Sequence, residues 1–345
     1  MKRFATSALL LVSLIAVCCA GRPPHVVMFY NLENLFDTIN DPNVNDEEFL
    51  PDGEMQWTGD KYRSKLANIE RVFCDMAELH DEFPAIIGVA EVENRGVLED
   101  LIAQDRLKEA GYGIVHYDSP DKRGIDCAFL YRPDVFKLAG SKPEPYAHPK
   151  HKEVYTRDIV TMWGTIEGEP FLFMVAHWPS RRGGKDKSSP LREHAALRCK
   201  QIADSVRREN PSVKVVIMGD LNDDATDKSI VEVLGAKGKP EQTEENGFYN
   251  PFIDVFNAGY GTLAYGNNWN LFDNIIVSGN LATASDGGLR IQKADSTEFY
   301  GNIFSRQYMF QRKGAYRGYP LRTFSGRKFQ NGFSDHLPVY IYISK

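Results

Sequence analysis

The stretch Val215–Asp223, VVIMGDLND, decides the reading of this chain. Its first four residues are an unbroken apolar run, the pattern of a strand buried on both faces. Gly219 allows a tight backbone turn. Asp220 and Asn222 follow two residues apart, and in extended chain such residues face the same side. A carboxylate able to hold a cation or polarise a water is thereby set beside an amide able to donate to an anion. A polar turn after a strand would read the same way in isolation. The design recurs, however. His25–Tyr30 runs into Asn31 and Glu33, Pro84–Ala90 into Glu91, and Phe171–Ala176 into His177. Asp273 stands inside the apolar Leu271–Val277, and Asp335 and His336 directly precede the last apolar run. Buried carboxylates need a partner or a metal. Strand ends of this kind, taken together, point to one site rather than to separate turns.

The 345 residues are 42% hydrophobic and 26% charged, as in ordinary globular chains. This length allows two domains or one large α/β domain. A net charge of -6 excludes a global attraction to nucleic acid, but not a locally basic groove. Residues 301–331 offer one. They hold Arg306, Arg312, Lys313, Arg317, Arg322, Arg327 and Lys328, with no Asp or Glu. Phe304, Tyr308, Phe310, Tyr316, Tyr319, Phe324 and Phe329 are interleaved. Cations neutralise phosphates and exposed aromatics stack on bases. The segment is therefore expected to wall a substrate cleft; the competing reading is a solvated basic face over core aromatics.

At the start, Lys2 and Arg3 precede an apolar run from Ala8 to Cys19. That is the pattern of a secretory signal over residues 1–20, shorter than the ~20 apolar residues that span a bilayer. Cys18 and Cys19 leave a lipid-anchored alternative. Both versions place the mature protein outside the cytoplasm, periplasmic or secreted. Cys74, Cys127 and Cys199 lie in apolar segments, without disulfide or zinc spacing, and read as buried free thiols.

Between the strands, 61–80 has helical spacing, with Leu66, Ile69, Val72, Phe73, Met76 and Leu79 on one face. Gly113–Tyr117 and Ile125–Tyr131 read as a strand pair around a polar turn that includes Asp118 and Asp126. Arg181–Lys185 is a basic, glycine-containing loop, either a phosphate cradle or a surface turn. Ser189 and Pro190 are expected to open a helix that runs to about Arg208, with Arg192 and Arg198 solvated or, for Arg192, close to that loop. No exposed apolar hairpin that would reach a lipid surface is evident.

In this order the motifs resemble the endonuclease/exonuclease/phosphatase superfamily, the deoxyribonuclease I-like proteins. Gly219-Asp220-Leu221-Asn222 and Ser334-Asp335-His336 are the most specific pieces; Ala90-Glu91-Val92 and Asn31-Leu32-Glu33 support them. The resemblance covers Val26 to Ile343. It implies a four-layer α/β sandwich of two packed mixed β-sheets flanked by helices, as a single domain over 25–345, with the site at one mouth. It also implies a phosphoester hydrolase that uses Mg²⁺ or Mn²⁺. Glu91 would be the principal metal ligand, with Glu33, Asp335 and Asn31 helping to form the metal site. Asp220 would orient or deprotonate the attacking water. Asn222 and His177 would donate to phosphoryl oxygens, and His336, oriented by Asp273, would handle protons. Asn31, Arg157 and Arg181 are the expected substrate contacts. Glu33 departs from the family, where Asp is common, and its longer arm puts its role in doubt. The expected substrate is a phosphoester, with a nucleic acid first and inositol phosphates or phospholipid headgroups second. A binding protein that lost catalysis is the remote alternative. The expected state is a monomer.

Overall fold

The computed structural model describes residues 23–284, 287–294 and 297–345. The secretory signal expected at 1–20 lies outside the described residues.

The strands are β1 His25–Leu35, β2 Ile86–Val92, β3 Gly113–His116, β4 Asp126–Tyr131, β5 Phe136–Glu144, β6 Ile159–Ile166, β7 Glu169–His177, β8 Lys214–Asp220, β9 Ala236–Lys237, β10 Phe248–Tyr249, β11 Leu263–Tyr265, β12 Asn268–Asn270, β13 Asp273–Ser278, β14 Arg290–Gln292, β15 Asn302–Ile303, β16 Phe324–Ser325, β17 Lys328–Phe329 and β18 Val339–Ser344. The helices are α1 Gly59–His80, α2 Arg95–Ile102, α3 Lys185–Glu209, α4 Phe252–Asn257 and α5 Gly279–Ala282. One sheet has the order β14-β18-β1-β2-β4-β3, with β15 also on β18; the other has β5-β6-β7-β8-β13-β10-β9.

Side chains alternate across each strand, and the alternation builds the layers. Val27 and Phe29 of β1 pack with Phe173, Val175, Val216, Met218 and Ile275 of the other sheet. Their neighbours Met28 and Tyr30 face the opposite way, into a core shared with Leu66, Ile69 and Phe73 of α1 and Leu98 of α2. Leu172, Met174, Val215 and Ile217 face Ala195, Ala196 and Cys199 of α3. The order is helices, sheet, sheet, helix, the expected four layers. The free cysteines Cys74, Cys127 and Cys199 are all buried. Among the described residues, no helix is long and apolar enough to cross a membrane.

Three sequence expectations are corrected. Gly219 is not a turn: it lies inside β8, where an added Cβ would sit 1.9 Å from the Ala176 carbonyl oxygen. Close approach of β7 and β8 is what requires glycine there. Leu79 is not a core residue: in the last turn of α1 it is His80 that packs on Tyr340 and Tyr342 of the sheet, and Leu79 is left 49% exposed. The third helix begins at Lys185, so Pro190 lies inside it and Ser189 is no cap. Ser188 instead returns its hydroxyl to the Gly184 carbonyl at 2.7 Å.

Arg192, on that helix, is fully buried rather than solvated. Its Nε lies 2.6 Å from Asp223 Oδ1, and its Nη1 donates to Ser188 Oγ at 2.8 Å. Removing one partner strands a buried charge. Arg192→Ala is expected to cost about 3–5 kcal/mol in chemical denaturation. Arg198→Ala, whose partner Glu144 is 3.6 Å away near the surface, should cost about 1 kcal/mol or less.

Candidate active site

Strand direction brings the singled-out residues together. β1 runs parallel to β2, and β7 parallel to β8, so Asn31, Glu91, His177 and Asp220 end at C-terminal strand ends. β13 is antiparallel to β8 and β18 antiparallel to β1, so their beginnings, Asp273 and the Asp335-His336 turn, lie at that same end. Asp220 is in register with His177 on one side and Asp273 on the other. The residues are far apart in sequence because a sheet's mouth collects ends of strands, not neighbours in the chain.

Bulges aim the carboxylates. The ladder shifts register between Asn31 and Leu35, and again at Glu91 between Ala90 and Val92. A bulge re-aims a side chain that strict alternation would send elsewhere. Glu33, Asn34, Glu91 and Asn222 all hold positive φ, at 50°, 52°, 60° and 50°. Such strained conformations in residues other than glycine gather at functional sites.

Asp220 is the hub. Asn31 Nδ2 donates to its Oδ2 at 3.1 Å, and the Nε2 atoms of His177 and His336 lie 3.4 and 3.7 Å from that oxygen. Its other oxygen accepts the backbone N–H of Asn222 at 3.0 Å. Burial, opposed by the charge of His336, pushes the Asp220 carboxyl up to about 6. Asp273 is fully buried and accepts from His336 Nδ1 at 2.8 Å and from the Thr262 hydroxyl. Burial disfavours the imidazolium of His336, but the carboxylates of Asp273 and Asp220 outweigh it and hold the ring well above its ordinary value. His177 goes the other way: burial first, then Arg157, push it well below.

Glu91 Oε2 accepts the Asn34 amide N–H at 3.1 Å. Its Oε1 has only distant neighbours, His177 Nε2 and Arg123 Nη2, each at 3.9 Å. An oxygen so placed suits a hard cation. Asp335 approaches the same group, with Oδ1 3.9 Å from His336 Nε2. Glu33 adjoins Asp335 through Arg322, which pairs with both. It accepts from the Thr323 N–H at 2.6 Å and from Arg322 Nε at 3.2 Å, with Lys65 Nζ 3.9 Å away. Burial, reinforced by Asp335, pushes Glu33 up to about 7, and burial brings Lys65 down to about 8. The longer arm of Glu33 reaches the 321–333 segment, and it shares Arg322 with Asp335.

Two expected substrate contacts are also corrected. Arg157 is buried, donating to Asp121 Oδ2 at 2.9 Å and to the Trp178 carbonyl at 3.1 Å. It backs the His177-Trp178 turn. Arg181 donates to the Asn222 carbonyl at 2.8 Å and to Asp224 and Asp227 at 3.1 and 2.7 Å, and its guanidinium lies 4.3 Å from the Phe272 ring centre. It pins the 222–227 loop. Asn222 gives one amide N–H to the Trp178 carbonyl at 3.0 Å, which leaves its second N–H for an anion. Arg123, passed over as part of a polar turn, is the half-exposed arginine beside Glu91. Lys65 gave no sequence signal, since a lysine in a helix reads as surface.

Asp126 is not the turn residue that the sequence suggests. Asp126 instead opens β4, buried, accepting from the Ser119 N–H at 2.9 Å and lying 3.1 Å from His116 Nε2. His116, Asp118 and Asp126 present ligand atoms all within 4.8 Å of one another, a group that could hold a cation apart from Glu91.

The family model described as "Endonuclease/Exonuclease/phosphatase family" matches residues 26–345. No curated protein sequence matches significantly. Among solved structures, D. rerio TDP2 complexed with single strand DNA product is 12% identical, with a TM-score of 0.54 over 93% of this chain and 99% of that one. The mannosyl-6-phosphatase of Bacteroides thetaiotaomicron is 17% identical, with a TM-score of 0.55 over 93% and 100%. The human Nocturnin catalytic domain with bound sulfate anion is 15% identical, with a TM-score of 0.52 over 94% and 95%. At these identities the likeness speaks for the fold.

Proposed function

This chain belongs to the endonuclease/exonuclease/phosphatase family, and from that premise we propose that it is a divalent-metal-dependent phosphoester hydrolase, a nuclease first. The observation that carries the reading is the convergence on Asp220 of Asn31, His177 and the His336–Asp273 pair, beside the open oxygen of Glu91. Mg²⁺ or Mn²⁺ held at Glu91, with Asp335, would supply Lewis-acid polarisation of a phosphoryl oxygen. The chain's own residues do the rest. Asp220 takes a proton from the attacking water as its oxygen bonds to phosphorus. Neutral His177 and the free N–H of Asn222 donate to the equatorial oxygens, where negative charge grows. The imidazolium of His336 protonates the departing ester oxygen as its bond to phosphorus breaks, and Asp273 fixes the ring.

The nuclease reading draws support from Arg312, Lys313 and Arg317. They are exposed, and among the described residues no carboxylate pairs with them. Changing all three to Ser should weaken DNA or RNA turnover and flatten its salt dependence, by up to about 0.7–0.9 in log–log slope per lost phosphate contact. A small phosphodiester that does not reach the loop should lose far less. An unchanged salt slope would shift the reading to small substrates. One feature favours phosphodiesterase action on lipid headgroups: the β11–β12 hairpin carries the exposed Tyr265 and Trp269. The deciding experiment is a panel of supercoiled DNA, RNA, inositol polyphosphates, sphingomyelin and a simple phosphodiester, each with Mg²⁺ and Mn²⁺. No hydrolysis anywhere would favour a binding protein. The proposal treats 25–345 as one domain, supported by the β1–β18 pairing of the two chain ends. An extracytoplasmic location rests on residues 1–20 alone.

A further inference from the structure

Arg322 stands where two clefts meet. Its Nε donates to Glu33 Oε1 at 3.2 Å and its Nη2 to Asp335 Oδ2. Glu33 already has other partners: the Thr323 N–H, and Lys65, which is itself anchored on Thr323 Oγ1 at 2.6 Å and the Phe333 carbonyl at 2.7 Å. The Arg322 side chain is 49% exposed, so it is more than a buried counter-ion. On the Asp335 side lies a cavity of ≈ 480 Å³ walled by Tyr265, Asn267, Gln311, Tyr316 and Tyr319. On the Glu33 side lies one of ≈ 220 Å³ walled by Asn34, Phe49, Met55 and Phe324. Arg322 borders both. Each has a lining residue in contact with the candidate site: Asp335, whose Oδ1 is 3.9 Å from His336 Nε2, and Asn34, whose backbone N–H donates to Glu91.

We propose that Arg322 is a specificity-determining residue that divides the two ester arms of a phosphodiester between these clefts. The inference rests on the phosphoesterase reading. A phosphomonoester has one organic arm and needs one cleft; a diester has two that diverge from phosphorus. The clefts differ in chemistry as two arms would require. The larger offers tyrosine faces and two side-chain amides, and continues into the unpaired cations of the 311–318 loop. It suits a ring-bearing arm followed by further negative charge, as in a nucleotide unit. The smaller, faced by Phe49, Met55 and Phe324, suits a short arm. With Nε and one N–H of Nη2 given to Glu33 and Asp335, the guanidinium keeps the outer N–H groups of Nη1 and Nη2, which can hold two phosphate oxygens by a pair of parallel bonds as a lysine cannot.

The test compares thymidine 5′-(4-nitrophenyl) phosphate with 4-nitrophenyl phosphate on the full chain with Mn²⁺. Arg322→Gln should raise the diester KM on the order of tenfold with kcat little changed, and shift the diester-to-monoester ratio of kcat/KM by a similar factor toward the monoester. Arg322→Lys should recover only part of it. Tyr265→Ala, at a side chain 82% exposed and so harmless to folding, should raise KM for the thymidine diester but not for methyl 4-nitrophenyl phosphate. Equal losses on both substrate types in Arg322→Gln, with a lowered Tm, would make Arg322 a structural pin and overturn the proposal. A parent enzyme that cleaves only the monoester would overturn it too, while leaving the phosphoesterase reading standing. If the parent cleaves neither, both fall.

Discussion

Glu91→Ala is expected to reduce phosphoester hydrolysis by about 10³-fold or more while the protein stays folded. The magnitude follows from the several kcal/mol that a metal supplies to a phosphoryl transition state, at about 1.4 kcal/mol per factor of ten. The fold should persist because, among the described residues, the carboxylate accepts one N–H bond, from the Asn34 backbone, and lies in the partly open mouth rather than in the core. Glu91→Gln keeps an acceptor for that bond and removes the charge, and it should lose nearly as much activity. Calorimetric titration of Mn²⁺ separates the causes. Both variants should lose the tight binding event, with Tm in chelator unchanged. A parent enzyme at full turnover in excess chelator, with metal absence confirmed, would end the metal reading.

Asp273 and His336 should behave as one unit. Each single change, Asp273→Asn or His336→Ala, is expected to slow the chemical step by about 10²–10⁴-fold. The double variant should be little worse than the poorer single, since residues that act together lose their contribution once. Fully multiplicative losses would give Asp273 a separate task. The pH dependence has a definite sign. Asp220 must be ionised to take a proton; in metal-free protein burial places its carboxyl at about 6, and a cation at Glu91 would lower it, so kcat/KM should fall as pH drops through or below that region. In metal-free protein the His336 ring should be protonated at neutral pH, because the carboxylates of Asp273 and Asp220 overcome the effect of its burial. Asp273→Asn removes the largest of those supports, and ring NMR should then show His336 titrating lower. An unmoved titration would mean that Asp273 does not set the charge of the ring.

Much of this protein is legible in its sequence, and for one reason. A buried strand needs an apolar run, and a polar residue at the end of that run is costly unless something uses it. That rule alone marked Asn31, Glu91, His177, Asp220, Asp273 and His336, and helix periodicity marked α1. Edge strand β5 escaped notice because one face of it is solvated and its sequence includes Lys137, Gly140 and Pro143. Tertiary structure decided what each charged side chain does. Glu33, Arg157, Arg181 and Arg192 carry the same groups as the residues gathered round Asp220, and only their surroundings show what each one holds. Arg181 meets Asp224 and Asp227 across a loop, Arg192 meets Asp223 from a helix, and Glu33 meets Lys65 and Thr323 from distant segments. A charge's role depends on which opposite charge lies within a few ångströms, and such distances are set by strand register and bulges. Alternation in a sequence shows which face a side chain takes; it does not show what waits on that face.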